Sequence, residues 1–275
     1  MKVLMCTGGS KFAERAMDST GILMDKDDDI TIFHVKEEGV SPETLEVCRK
    51  ILKNRGIDAK TKSCENKLGV AKEILKEARS NYDLIVMGSL GMSSHGHGSF
   101  HRFLLGMNAF RVIENAETSV LIVRGAHPPN RVLMGVSGSV HDYEIVNFAC
   151  ALFDNHISKI KFLHVIPEIS EHFKVFMPPQ IRASMRELLE EEEFERSEHK
   201  YLDKCVEIAK KCDIPEIKTK LREGDPAAQI LNEAEEGGYD LIAVGARKSE
   251  KFPLGNAAHR IVNHARCSFL VVRRG

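Results

Sequence analysis

Tyr82-Asp83-Leu84-Ile85-Val86-Met87-Gly88 returns later in the chain as Tyr239-Asp240-Leu241-Ile242-Ala243-Val244-Gly245. Each copy is an apolar run of strand length, entered through Tyr-Asp and left through glycine. A run without polar alternation predicts a strand buried on both faces, as in a parallel sheet. Further blocks repeat in the same order. Val3-Leu4-Met5 matches Val132-Leu133-Met134, and Gly9-Ser10 matches Gly138-Ser139. Phe33-His34-Val35 matches Leu163-His164-Val165. Val120-Leu121-Ile122-Val123-Arg124 matches Phe269-Leu270-Val271-Val272-Arg273. Order kept along the whole chain marks an internal duplication. The halves meet at the turn-rich Gly125-Ala126-His127-Pro128-Pro129-Asn130.

In the first half, strand candidates at 2–6, 30–35, 57–63, 83–87 and 119–123 alternate with amphipathic stretches. In the second half they fall at 131–136, 160–166, 215–221, 240–244 and 268–272. Val70, Ile74, Leu75 and Ala78 recur at helical spacing, as do Ala227, Ile230, Leu231 and Ala234. Such alternation predicts βαβ units and places the chain in the α/β class. The expectation is two tandem five-stranded parallel-sheet α/β sandwich domains, 1–125 and 131–275. The second carries an extra segment, about 167–200, with Pro178-Pro179 and then Glu190 to Glu193 in a helix expected from about 181 to 211. The glutamates read as a solvated helix face, with an acidic docking surface as the alternative.

Lysine and arginine number 39 and aspartate and glutamate 40, a net charge of -1 that argues against nucleic-acid binding by bulk charge. Trp is absent and aromatics are 6%, so the core must be aliphatic. The seven cysteines include no CxxC pair and match no zinc spacing, which reads as reduced thiols and a cytoplasmic setting. No signal-peptide pattern opens the chain, and no stretch nears the ~20 apolar residues that cross a membrane.

Ligands of parallel sheets bind beyond the carboxyl ends of the strands, where strand order reverses. There, Met87-Gly88-Ser89-Leu90-Gly91 closes the fourth strand and Gly106-Met107-Asn108 opens the last helix of the half, 107–116. Glycines let backbone N–H groups approach an anion, and a helix N-terminus adds unpaired donors and partial positive charge.

These glycines resemble the nucleotide-binding motif of the universal stress protein family: Gly-x-x-Gly, nine residues, then Gly followed by Ser or Thr. Gly88, Gly91 and Gly106 match its three glycines, although 14 residues separate the last two and Met107 stands at the hydroxyl position. The resemblance runs over both halves and implies a tandem form of that family. It implies a Rossmann-like fold of the adenine-nucleotide alpha hydrolase type and a stress-response or regulatory role. It also implies an adenine nucleotide, ATP or AMP, bound without substantial catalysis. In that family an Asp just after the first strand holds the ribose; here the place reads Thr7-Gly8, with Gly8 at the Asp position. Backbone at the end of the second strand contacts adenine there, which maps to His34-Val35. In the second half the matching places hold Ser137, Val165, Gly245, Arg247, Lys248, Gly255 and Asn256. Lys248 replaces the second glycine and only six residues precede Gly255. Arg247 and Lys248 are either phosphate partners or exposed surface charges.

Other chemistry is thinner. His95, His97 and His101 have the spacing of zinc, copper or nickel ligands, but no neighbouring Cys or carboxylate completes a set. The reading is a Gly/Ser/His loop, with no metal expected. No Gly-x-Ser-x-Gly and no Walker sequence occurs, so no enzyme is expected. A nucleotide-independent interaction scaffold is the alternative, and a slow ATPase or a metal-binding protein the minor one. His34 and His164 repeat and so read as structural. Each half ends in an apolar strand with a basic tip, 119–124 and 268–274, an edge that needs covering. The halves are expected to pair there as an intramolecular pseudo-dimer, with Leu121 and Leu270 at matched places. A homodimer or an unidentified protein partner stays open.

Overall fold

Lys2–Cys6 (β1), Lys11–Gly21 (α1), Asp29–Lys36 (β2), Thr44–Lys53 (α2), Ala59–Glu65 (β3), Val70–Ala78 (α3), Leu84–Gly88 (β4), Met107–Asn115 (α4) and Ser119–Val123 (β5) form the first half. The second runs Arg131–Val136 (β6), Asp142–Phe153 (α5), Lys159–Ile166 (β7), Glu191–Ala209 (α6), Glu216–Glu223 (β8), Pro226–Glu236 (α7), Leu241–Gly245 (β9), Asn256–His264 (α8) and Ser268–Val272 (β10). This computed structural model describes residues 1–37, 43–89, 105–125, 127–139, 141–166, 191–246 and 254–273. All ten expected strands are present, so the α/β reading holds.

Beta-3 lies at 59–65 rather than 57–63, for a local reason. Gly56 takes φ +78° to end α2, and Ile57 donates its N–H back to the Leu52 carbonyl at 3.1 Å. Ile57 is therefore buried as part of the helix stop, not as a strand residue. Of the helix expected over about 181–211, the part from 191 to 209 is helical; Pro178-Pro179 and Glu190 lie outside the described residues.

The strands make one ten-stranded sheet in the order β3-β2-β1-β4-β5-β10-β9-β6-β7-β8. Every neighbouring pair is parallel except β5 and β10, which are antiparallel. Strand order reverses at β1/β4 in the first half and at β6/β9 in the second. Helices α1, α2, α5 and α6 cover one face, and α3, α4, α7 and α8 the other. Leu121, Val123, Leu270 and Val272 point to the first face, while Val120, Ile122, Phe269 and Val271 point to the second. Both core clusters therefore run unbroken across the junction of the halves.

At that junction Leu121 sits directly opposite Leu270, both fully buried. Polar contacts cross it reciprocally. The Arg124 N–H donates to Ser268 Oγ at 2.9 Å, and the Arg273 N–H donates to Ser119 Oγ at 3.1 Å. The Arg124 guanidinium reaches the Ala265 carbonyl after α8, and Arg273 donates to the Ile113 carbonyl in α4 at 2.9 Å. Each half thus places an arginine on the C-terminal carbonyls of the other half's last helix, where the helix dipole favours a cation. The outer edges are different. Beta-3 carries Lys60 and Lys62, and β8 carries Lys218, Lys220 and Arg222, charges that discourage further strand pairing.

On the second half, Glu233 of α7 is buried and receives Lys161 at 2.6 Å, Lys220 at 2.7 Å and Arg222 at 2.5 Å. Burial pushes its carboxyl up, but the hydrogen bonds and charges of Lys161 and Lys220 outweigh this and hold it at about 2. An unfolded glutamate titrates near ~4.3, so this cluster stabilises fully above that value and is lost as the pH falls toward 2. We expect Glu233→Gln to lower stability at pH 7 by about 1–3 kcal/mol. Its denaturation midpoint should also depend less on pH below about 4 than the wild type's. In a separate test, Leu270→Ala should cost about 2–5 kcal/mol in urea unfolding, the range for a filled core site.

Candidate functional site

The β1/β4 crossover opens a crevice in the first half. Its volume is about 350 Å³, within the roughly 300–1,000 Å³ of small-ligand sites. A larger cavity of about 870 Å³ lies between α3 and α4, toward the N-terminal ends of β4 and β5. The smaller one is the candidate because it lies where strand order reverses and a helix N-terminus faces it.

Its apolar floor is Phe33, Val35, Ile74, Met87 and Ala109, all buried. Thr7 and Gly8 form one wall, Gly88 and Ser89 another, and Gly106, Met107 and Asn108 the rim. Gly106 is the N-cap of α4 and no side chain caps that helix, so first-turn N–H groups face the crevice. Met107 is 64% exposed and brings no hydroxyl. A Cβ at Gly8 would meet nothing within 4 Å, so the place matched to the ribose-holding Asp is open space.

Beneath the crevice, buried His34 places Nδ1 2.9 Å from the Thr7 carbonyl, tying the end of β2 to the end of β1. His164 makes the same 2.9 Å contact to the Val136 carbonyl. The repeated histidines are thus structural ties, as their repetition suggests. Burial pushes the Cys6 thiol far above its ordinary range, so this wall residue is a protonated thiol and no ready nucleophile.

The structure brings together Thr7, Gly8, Val35, Met87, Gly88, Gly106 and Asn108. Gly91 lies outside the described residues, as do Arg247, Lys248, His95, His97 and His101. Among the described residues no three His, Cys, Asp or Glu side chains gather as a metal site. Sequence reasoning missed Glu37, the only charged residue on the described wall; its one signal is its place two residues beyond Val35.

The second crossover is built differently. Asp142 of α5 accepts the N–H and the hydroxyl of Ser137 and the hydroxyl of Tyr201 from α6. Ser137, matched to Gly8, is therefore already spent on an internal carboxylate. A Cβ at Gly245 would lie 2.4 Å from Cδ1 of Ile145, so helix packing fills the space beside it. Val165 is buried, and Gly255 takes φ +72° before Asn256 opens α8 without a side-chain cap.

A family model for the universal stress protein family matches residues 49–124 and 129–273. The chain belongs to the universal stress protein family. It is 26% identical over 152 residues to a universal stress protein of Bacillus subtilis, covering 52% of this chain and 99% of that one. A universal stress protein structure from Archaeoglobus fulgidus aligns over 100% of this chain and 98% of its own with a TM-score of 0.62 at 18% identity. A putative one from Pseudomonas aeruginosa aligns over 98% and 92% with a TM-score of 0.64 at 14% identity. These two likenesses concern the fold. Among the described residues no helix is long and apolar enough to cross a membrane.

His34→Ala should leave the Thr7 carbonyl buried without its partner and cost about 1–3 kcal/mol in chemical denaturation. His164→Ala should cost a similar amount, and a loss confined to one half would contradict the matched role.

Proposed function

We propose that this universal stress protein is a cytoplasmic stress-response regulator that binds an adenine nucleotide, AMP or ATP, in the first-half crevice without substantial catalysis. It would do so as two tandem domains, 1–125 and 131–275. The observation that carries this reading is the uncapped N-terminus of α4 facing an apolar crevice of about 350 Å³ at the β1/β4 crossover. Its backbone N–H groups suit a phosphate, and Phe33, Val35 and Ile74 suit a flat apolar base. Val35 would meet adenine through its backbone; Thr7, Gly8, Met87, Gly88, Gly91, Gly106 and Asn108 would line the remainder.

The described wall offers no activated nucleophile beside a base, which supports binding over chemistry. The second half reads as the structural partner. Its Ser137 is held by Asp142 and its Gly245 lies against Ile145, which favours a degenerate, nucleotide-independent role for Val165, Arg247, Lys248, Gly255 and Asn256.

Mass spectrometry of ligand released from freshly purified protein should find one adenine nucleotide per chain. Calorimetry with AMP and ATP should give one site. Absence of heat with both, for a folded sample, would overturn the reading. Gly8→Asp fits the open space, and Gly8 is not in the left-handed region, so the variant should fold normally. It should tighten binding by roughly 10-fold, the gain from one charge-assisted hydrogen bond.

A further inference from the structure

The duplication supplies an internal comparison for the groove of about 870 Å³ between α3 and α4. Its counterpart in the second half lies between α7 and α8. There the charges neutralise one another. Arg260 reaches the Asp225 carboxylate at 2.5 Å, and Asp225 also accepts the Ala228 N–H at 2.8 Å. Arg266 reaches Glu235 at 2.5 Å.

At the matched places the first groove reads differently. Arg111 stands where Arg260 does, but Gly69 replaces Asp225 and has no carboxylate to offer. Lys72 replaces Ala228, and Arg79 replaces Glu235. Lys72, Arg79 and Arg111 are all exposed, and among the described residues none has an ion-pair partner. Among the described residues the first groove holds four cations, counting Arg273, against the two carboxylates of Asp83 and Glu117. The second holds Arg124, Arg260 and Arg266 against Asp225, Glu235 and Asp240, an even balance.

The uncompensated charges are spread out. Lys72 and Arg79 are seven residues apart, about 10 Å along α3. Arg111 faces them from α4, and Asn108 and Asn115 add polar wall. A single small ion would meet one of these cations; an extended chain bearing several carboxylates would meet them all. We propose that this groove docks an acidic peptide segment of a partner protein, which sets a carboxylate beside Arg111 as the second copy sets that of Asp225 beside Arg260. The partner is external because the first groove lacks the carboxylates that the second copy carries at Asp225 and Glu235. The proposal does not depend on nucleotide binding.

The test uses the full chain and a fluorescein-labelled hexaglutamate peptide, read by anisotropy at low and moderate salt. Saturable 1:1 binding that weakens with salt is expected. Arg111→Gln should weaken it about 2- to 5-fold, the range for an exposed pair. Lys72→Ala combined with Arg79→Glu gives the first groove the second copy's residues at those two places and should abolish it. As a control, Lys50→Ala with Lys53→Glu makes the same charge change on α2, on the opposite face of the sheet, and should leave binding intact. An equal loss in that control would mean bulk charge alone and overturn the proposal. So would unchanged binding in the groove variant, with its fold verified by circular dichroism. Full competition by inorganic phosphate, or by an oligonucleotide at matched charge, would likewise overturn it in favour of a small-anion or nucleic-acid surface.

Discussion

Antiparallel pairing of β5 with β10 is the constraint on which the molecule depends. Each half alone would end its sheet in a five-residue strand buried on both faces, with its backbone donors and acceptors unpaired along one edge. Joining the edges satisfies those groups and lets both core clusters run through the junction. Leu121 against Leu270 supplies the apolar contact. Ser119 with Arg273, and Ser268 with Arg124, supply polar contacts that only the joined form can make. The arginines extend this hold to α4 and α8. Those helices open at Gly106 and Gly255 and end beneath an arginine of the other half, so each crossover rests on a helix fastened from across the seam.

Symmetry at the seam does not extend to the crevices. The same strand order produces a crossover in each half, but the residues filling them differ. In the first, Gly8 leaves open space. In the second, Asp142 stands at the place of the wall residue Ala13 and holds Ser137. The grooves on the helix face diverge as well, through Gly69 against Asp225 and Arg79 against Glu235. A duplicated chain need keep the scaffold twice, because the seam requires two similar halves. It need keep an open site only once.

Legibility followed the range of the interactions. The apolar runs at 82–88 and 239–245 placed β4 and β9 because a strand buried on both faces has no polar alternation. The pseudo-dimer through Leu121 and Leu270 was readable because an uncovered apolar edge has few stable outcomes. The exact start of β3 was not, since Gly56 and Ile57 close a helix through two backbone hydrogen bonds that apolar content does not encode. The pairing of Asp142 with Ser137 and Tyr201 was also hidden. Tyr201 lies 59 residues from Asp142, and nothing local to either residue announces the contact.

The sequence by itself determined the duplication, the ten strands, the α/β class and the glycines and helix starts from which a nucleotide crevice is built. These follow from local periodicity and from matched blocks in one order. Only the tertiary structure decided that the first crossover holds an open crevice, that Asp142 holds Ser137 at the second, that the arginines cross to the opposite helices, and which groove keeps its positive charge uncompensated. Those outcomes rest on contacts between residues far apart in the chain, and such contacts exist only once the two halves have packed into one sheet.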